Sequence, residues 1–339
     1  MKRLLAMAAA VGFAAAATVS AHAADHVTLQ LKWVTDAQFG GYYVAKDKGY
    51  YKAMGLDVTI KPGGPDIAPE QVLAAGGADV IVDWMTAALA AREKGVPLTN
   101  IAQIFQREGL ELTCLKSTGI KSPKDFKGKT LGVWFYGNEY PFFAWMHKLH
   151  MSTNGGPNGV KVLKQNFNVD PLLQHQADCI STMTYNEYGQ LLDAGMKPSQ
   201  LVVFKYSDEG VGVLEDGLYA NGNKLKNKHY ANVMARFVAA SDKGWDWAVH
   251  HPNATAKIVL KYDTTGAQTM KHQLYMAREV AKLITDPKNP IGYLNVKDYH
   301  RTVRELMAQK IITKTPHGAY THRVWKMSLK YFNSKKSKM

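Results

Sequence analysis

The chain reads as an α/β protein of two lobes with largely parallel sheets and a ligand cleft between the lobes. Three observations predict this. Strand-type stretches alternate with helix-type stretches. Two strand stretches are introduced by related triplets, Gly77-Ala78-Asp79 and Gln176-Ala177-Asp178, as two lobes of similar design would give. The 339 residues also exceed what one hydrophobic core usually holds.

Taken in order, residues 1–23 form the first element. Lys2 and Arg3 precede an apolar run from Leu4 to Val19, and Ala21-His22-Ala23 closes it. That is the charge, apolar and cleavage pattern of a secretory signal peptide. The run is short and rich in alanine, so a membrane span is not expected. The first cysteine is Cys114, which speaks against a lipid anchor at the new N-terminus. A soluble protein of the periplasm is the expectation.

In lobe 1, alternation over 27–33 predicts a strand, and a helix over 39–48 stops at Gly49. Leu56, Val58 and Ile60 mark a second strand, and Pro62-Gly63-Gly64-Pro65 a turn. A short helix over 70–75 leads to an apolar strand over 78–84 and a helix over 86–94. In lobe 2, strands are expected over 130–135 and 177–183, a helix over 140–151, and a return segment over 201–206. Three further helices, over 229–250, 269–284 and 296–309, complete the chain. Pro252 should end the first of these. The domain reading is therefore 24–112 for the first part of lobe 1, 113–205 for lobe 2, and 206–339 for the return to lobe 1 with C-terminal helices.

Composition narrows the function. With 46% hydrophobic and 21% charged residues, the chain belongs with globular proteins. Its net charge is +14, but the lysines spread over many elements, with a small cluster at Lys335, Lys336 and Lys338. That is a solvated basic surface rather than a nucleic-acid footprint. Cys114 and Cys179 are the two cysteines, and their pairing stays open at the level of sequence. His147 and His150 have helical spacing for a shared metal but no evident third ligand, so no metal is expected. No serine-nucleophile, zinc-protease or phosphate-loop motif occurs. No catalytic residue and no cofactor are assigned.

In open α/β sheets, ligands lie beyond the carboxyl ends of the strands. Those positions hold Trp33, Asp36 and Phe39, then Gly64, then Asp83 and Trp84 in lobe 1. In lobe 2 they hold Trp134, Phe135, Tyr136, Asn138 and Glu139, then Tyr185, Asn186 and Glu187. Aromatic rings beside carboxyl groups suit a flat nitrogen heterocycle. Rings stack on its faces at about 0.5–1.5 kcal/mol each beyond area burial. Carboxylates accept from its amino groups. Arg107 is the one arginine near these ends, which makes sulfonate or nitrate a poorer fit. The ligand-site expectation comprises Trp33, Asp36, Phe39, Gly64, Asp83, Trp84, Tyr136, Asn138, Glu139, Tyr185, Asn186 and Glu187.

The residues LQLKWVTDAQFGGYYVAKDKGYYKAMGLDVTIKPGG (29–64) resemble the opening of NMT1/THI5-like solute-binding proteins of ABC importers. ADVIVDWMTAALAAREKGVPL (78–98), SPKDFKGKTLGV (122–133) and the Asn-Glu within 185–188 extend the resemblance. It implies a type II periplasmic binding fold that closes on ligand and delivers it, as a monomer, to a permease with its ATPase. It further implies thiamine pyrimidine precursors as first ligands, with riboflavin, sulfonates such as taurine, or nitrate as alternatives. Trp33, Tyr185 and Glu187 are the counterparts of residues that grip a pyrimidine ring. The family also contains a pyrimidine synthase of thiamine biosynthesis. The resemblance places its cofactor lysine and substrate histidine where this chain has Asp83 and Ala87, and its cysteine-rich segment where this chain reads VGVLEDGLY (211–219). An enzyme is therefore not expected.

Overall fold

The computed structural model describes residues 23–333. The expected signal peptide, Ala23 apart, and Lys335, Lys336 and Lys338 lie outside the described residues. Lobe 1 begins with β1 (Asp25–Gln30), α1 (Gly40–Asp47), α2 (Tyr50–Ala53), β2 (Leu56–Lys61), α3 (Pro69–Ala74), β3 (Val80–Asp83), α4 (Met85–Glu93) and β4 (Leu98–Gln103). Lobe 2 follows with β5 (Leu110–Leu115), β6 (Thr130–Val133), α5 (Tyr140–Lys148), β7 (Lys161–Lys164), α6 (Asp170–Leu173), β8 (Cys179–Met183), α7 (Glu187–Asp193) and β9 (Leu201–Lys205). The chain then returns through β10 (Gly217–Asn221) to α8 (Lys228–His250), α9 (Pro252–Tyr262), α10 (Met270–Ile284), α11 (Val296–Ala308) and α12 (His322–Asn333).

The two sheets share one plan. Their strand orders are β2-β1-β3-β10-β4 and β7-β6-β8-β5-β9. In each, the strand that has just crossed from the other lobe (β10 or β5) lies fourth. Both inserted strands pair antiparallel with both neighbours, while the pairings of β1 and β6 are parallel. The sheets are thus mixed rather than largely parallel. A chain entering from the opposite lobe can run straight down the sheet without the crossover helix that a parallel strand demands.

The paired triplets have matching roles. Asp79 Oδ2 accepts from Thr28 N (2.9 Å), and Asp178 Oδ2 accepts from Thr130 N (2.8 Å). The backbone N–H of each aspartate returns a bond to the same threonine's carbonyl, at 2.9 and 2.8 Å. One aspartate thus fixes the register between β1 and β3 in lobe 1, and one between β6 and β8 in lobe 2.

Two boundaries differ from the sequence reading. The boundary at 112/113 would cut β5, and the crossing precedes Leu110. Residues 201–205 are not the return route but the edge strand β9, paired with β5. Pro252 lies just past the end of α8, as expected. It opens α9, because proline has no N–H to lose in a first turn. The cysteines do pair: Cys114 and Cys179 face each other on β5 and β8 and form a disulfide.

The two crossing segments hold each other through carboxyl groups. Glu108 accepts from Val213 N (2.9 Å). Glu215 accepts from Gly109 N (3.0 Å) and Leu110 N (2.9 Å). Burial pushes Glu108 up to about 8 and Glu215 well above the usual carboxylate range, and Glu108 adds to the rise at Glu215.

Candidate functional site

The site is built from strand ends. After β1 the chain runs on as Leu31-Lys32-Trp33, held to the loop after β2 by Gly63 N donating to the Trp33 carbonyl (2.8 Å). A Cβ at Gly63 would stand 2.3 Å from the Leu31 carbonyl oxygen, so only glycine permits this approach. Asp36 caps the next turn by accepting from Gln38 N (3.0 Å). That turn aims Gln38 inward, where its Nε2 donates to Asp216 Oδ2 (2.8 Å). Asp216 Oδ1 accepts from the indole of Trp84 (2.9 Å), at the head of α4. The ammonium of Lys32 lies 4.0 Å from the centre of the Trp84 ring and donates to Asn138 of lobe 2.

Lobe 2 supplies the facing wall. Trp134, past the end of β6, meets Trp33 edge-on with ring centres 5.8 Å apart. Its Nε1 is anchored on the Asn166 carbonyl (3.0 Å). Asn138 Nδ2 donates to the Phe135 carbonyl (2.8 Å), which leaves Oδ1 for Lys32. Tyr185 stands edge-on to Phe105 of a crossing segment, 5.8 Å between centres. Glu187 Oε2 accepts from Met183 N (3.0 Å), and Oε1 accepts from Asn186 Nδ2 (2.9 Å).

Lys32, Trp33, Gln38, Trp84, Trp134, Asn138, Met183, Tyr185, Asn186 and Glu187 together line one small cavity. Trp33, Trp84, Asn138, Tyr185, Asn186 and Glu187 of the expected set line it. The other six expected residues are placed elsewhere. Asp36 is a cap, Phe39 is core, and Gly64 lies buried in the loop beside Gly63. Asp83 is 1% exposed, accepts from Trp84 N (2.8 Å) and does not line the cavity. Tyr136 faces solvent beneath the Lys164 ammonium, and Glu139 binds Gly137 N (2.8 Å). The sequence reading missed Lys32, Gln38, Met183 and Asp216, and passed over Trp134 in naming the site. Lys32 did carry a signal, as a cation inside an apolar strand end. Asp216 had none, because it arrives on the return crossing. Arg107 lies outside the cavity wall, and the cation there is Lys32.

Burial raises the carboxyl groups of Asp36 and Asp83 far above their usual range. Burial lifts Glu187 to about 8, with the bond from Met183 N opposing. Asp216 is also raised by burial, but Lys32, Gln38 and Trp84 oppose the rise. Lys32 is lowered by burial, and the charges of Asp216, Asp83, Glu215 and Glu70 resist this. The wall therefore offers the Lys32 ammonium, in the field of Asp216, on one side and a buried carboxyl group that favours its proton on the other. It can clasp a flat ring and satisfy donors and acceptors on its edge. Among the described residues no group of three or more metal-ligating side chains occurs.

Comparison with solved structures gives the fold. A Bordetella bronchiseptica protein superposes with a TM-score of 0.70 at 19% identity, covering 91% of this chain and 98% of that one. The periplasmic aliphatic sulphonate binding protein of Escherichia coli superposes at 0.62 with 12% identity, over 86% and 89% of the two chains. The architecture is the type II periplasmic binding fold. Among curated relatives, the formylaminopyrimidine-binding protein of Halalkalibacterium halodurans is 25% identical over 240 residues, 70% of this chain and 71% of the relative. The 4-amino-5-hydroxymethyl-2-methylpyrimidine phosphate synthase of Legionella pneumophila is 34% identical, but over 109 residues, 32% of this chain and 34% of the synthase. A family model described as NMT1/THI5 like matches residues 36–255.

Proposed function

The chain belongs to the NMT1/THI5-like family, and on that ground we propose that it is the exported, monomeric binding component of an ABC importer for an aromatic nitrogen heterocycle, first of all a thiamine-related pyrimidine. The observation that carries this reading is the cavity itself. Three indoles and a phenol surround a space whose polar wall mixes amides, the Lys32 ammonium and a carboxyl group that burial holds toward its protonated form. An amino-pyrimidine has two faces to stack and an edge that both donates and accepts. Micromolar capture needs about 8 kcal/mol, within reach of such stacking and two or three hydrogen bonds in a closed cleft. The long match to a formylaminopyrimidine-binding relative supports the same ligand class. Lys32 could serve a sulfonate, but the Asp216 carboxyl group already lies in its field.

The leader at 1–23 supports a periplasmic location, and among the described residues no helix is long and apolar enough to cross a membrane. Delivery to a permease with its ATPase completes the proposal. The synthase reading has less support. Its match spans a third of the chain, and Asp83, at the place the resemblance gives its lysine, does not line the cavity.

Calorimetric titration with hydroxymethylpyrimidine, formylaminopyrimidine, riboflavin and taurine tests the proposal. Micromolar or tighter binding of a pyrimidine is the expected result. Binding of taurine alone, or of no ring compound, rejects it.

A further inference from the structure

One hydrogen-bonded line joins the cavity to the opposite lobe. Glu187 accepts from Asn186 Nδ2 at 2.9 Å. Asn186 Oδ1 faces His272 Nε2 at 2.9 Å, and His272 Nδ1 faces Asp193 Oδ2 at 3.0 Å. Asp193, Asn186 and Glu187 belong to lobe 2, whereas His272 stands on α10, which packs against lobe 1. The contact is tight. Tyr275 OH donates to the Thr184 carbonyl (2.7 Å), and a Cβ at Gly189 would fall 2.3 Å from the Tyr275 ring.

An amide has one accepting and one donating end, which constrains the whole line. With Oδ1 toward His272, the imidazole must donate from Nε2. It then meets the Asp193 carboxylate well only if Nδ1 also carries a proton. Glu187, at the other end, acts as acceptor. If the imidazole is neutral and keeps Nδ1–H on Asp193, Nε2 becomes an acceptor. The Asn186 amide must then turn over, Gln190 turning with it, and Glu187 must donate as a carboxylic acid. The two arrangements hold the same number of protons. They differ in where one proton sits.

We propose that Asn186 couples Glu187 to His272 across the cleft, so that a ligand whose N–H groups need an anionic acceptor at Glu187 sends the proton to His272 and tightens the grip of α10 on Asp193. His272 is a positioning residue for the ligand site, and this deepens the heterocycle-binding reading on which it rests. The charged and titratable groups facing His272 are Asp193, Lys271 and Tyr275. Asp36 and Tyr185 are the groups that sense Glu187. Burial favours the proton on Glu187 and lowers His272, although Asp193 opposes the latter, so the free protein favours the second arrangement, with the Asn186 amide turned over from the orientation in which Nδ2 meets Glu187. A donor-rich ligand reverses that balance.

The test is calorimetry with 4-amino-5-hydroxymethyl-2-methylpyrimidine across pH 6–9. His272→Ala should weaken binding about tenfold and change its pH profile. His272→Gln, whose amide can still bond Asn186, should recover most of the affinity. Wild-type affinity with a wild-type pH profile in His272→Ala overturns the proposal, as does an equal loss in both variants. If the wild-type protein binds no pyrimidine, the function reading fails separately. The coupling is then read in the free protein by ¹⁵N NMR of the His272 ring. Glu187→Gln should move the His272 pKa, and an unmoved value overturns the coupling.

Discussion

Lobes 1 and 2 share a strand order and an aspartate at the same joint, yet they present opposite chemistry to the ligand. On the lobe 1 side, Asp216 at the head of β10 receives two side-chain N–H groups and lies in the field of Lys32. On the lobe 2 side, Glu187 is as deeply buried but has backbone and amide donors and no cation, and it rises to about 8. Burial alone makes a carboxyl group neutral, and a neighbouring cation resists this. One fold, used twice, thus yields a carboxyl group in the field of a cation on one side and one without a cation on the other. The lobes also differ in reinforcement. β5 is bonded covalently to β8, while the matching pair β10 and β3 holds by hydrogen bonds and packing.

The sharpest way to break this comparison is to remove the covalent difference. Replacing Cys114 and Cys179 by serine together should cost about 3–4 kcal/mol, because the disulfide spans 65 residues. Thermal unfolding should show the loss, and limited proteolysis should cut lobe 2 before lobe 1. Equal cleavage of both lobes would show that the bridge does not set their ranking.

The next effect concerns Glu187. Its folded value is raised, so the native state keeps a proton that the unfolded chain releases near the usual 4.5. Stability therefore falls as pH rises from about 4.5 to about 8 and is level above that. Glu187→Gln should remove a slope on the order of a few kcal/mol from denaturant unfolding followed over that window. Glu108 and Glu111, raised to about 8 and about 7, keep part of the slope, together with other raised carboxyl groups such as Asp36, Asp83, Glu215 and Asp216. Unchanged pH dependence in Glu187→Gln would mean that Glu187 is ionised in the folded protein.

The smallest effect tests the likeness rather than the difference. Asp79→Ala and Asp178→Ala should each lose about 1 kcal/mol, with the other lobe's aspartate unaffected. Chemical denaturation of the single and double variants checks this, and additive losses are expected since the joints lie in separate sheets. Losses differing by more than about 1 kcal/mol would show that the two joints are not equivalent.

Local patterns were readable in the chain. Alternation at Leu56, Val58 and Ile60 located β2, and the apolar run before Trp84 located β3. The echo of the two aspartate triplets pointed to a doubled design. Trp33, Trp84, Asn138, Tyr185, Asn186 and Glu187 were placed at strand ends, and the structure gathers them around one cavity. Asp36, Asp83 and Glu139 met the same rule, yet they serve as cap, buried neighbour and turn brace. A strand-end rule finds the right height in the sheet but not the direction of a side chain.

The sequence by itself determined what depends on neighbours along the chain: the elements, the related lobes and the aromatic strand ends. Tertiary structure alone decided what depends on distant residues meeting. It inserted β10 and β5 antiparallel, joined Cys114 to Cys179, and set Asp216 against Lys32, Gln38 and Trp84. It also brought His272 onto Asn186, 86 residues away. The physical reason is range. Periodicity and turn chemistry act over a few residues, whereas burial, pairing and charge are properties of the packed neighbourhood and exist once the lobes have formed and met.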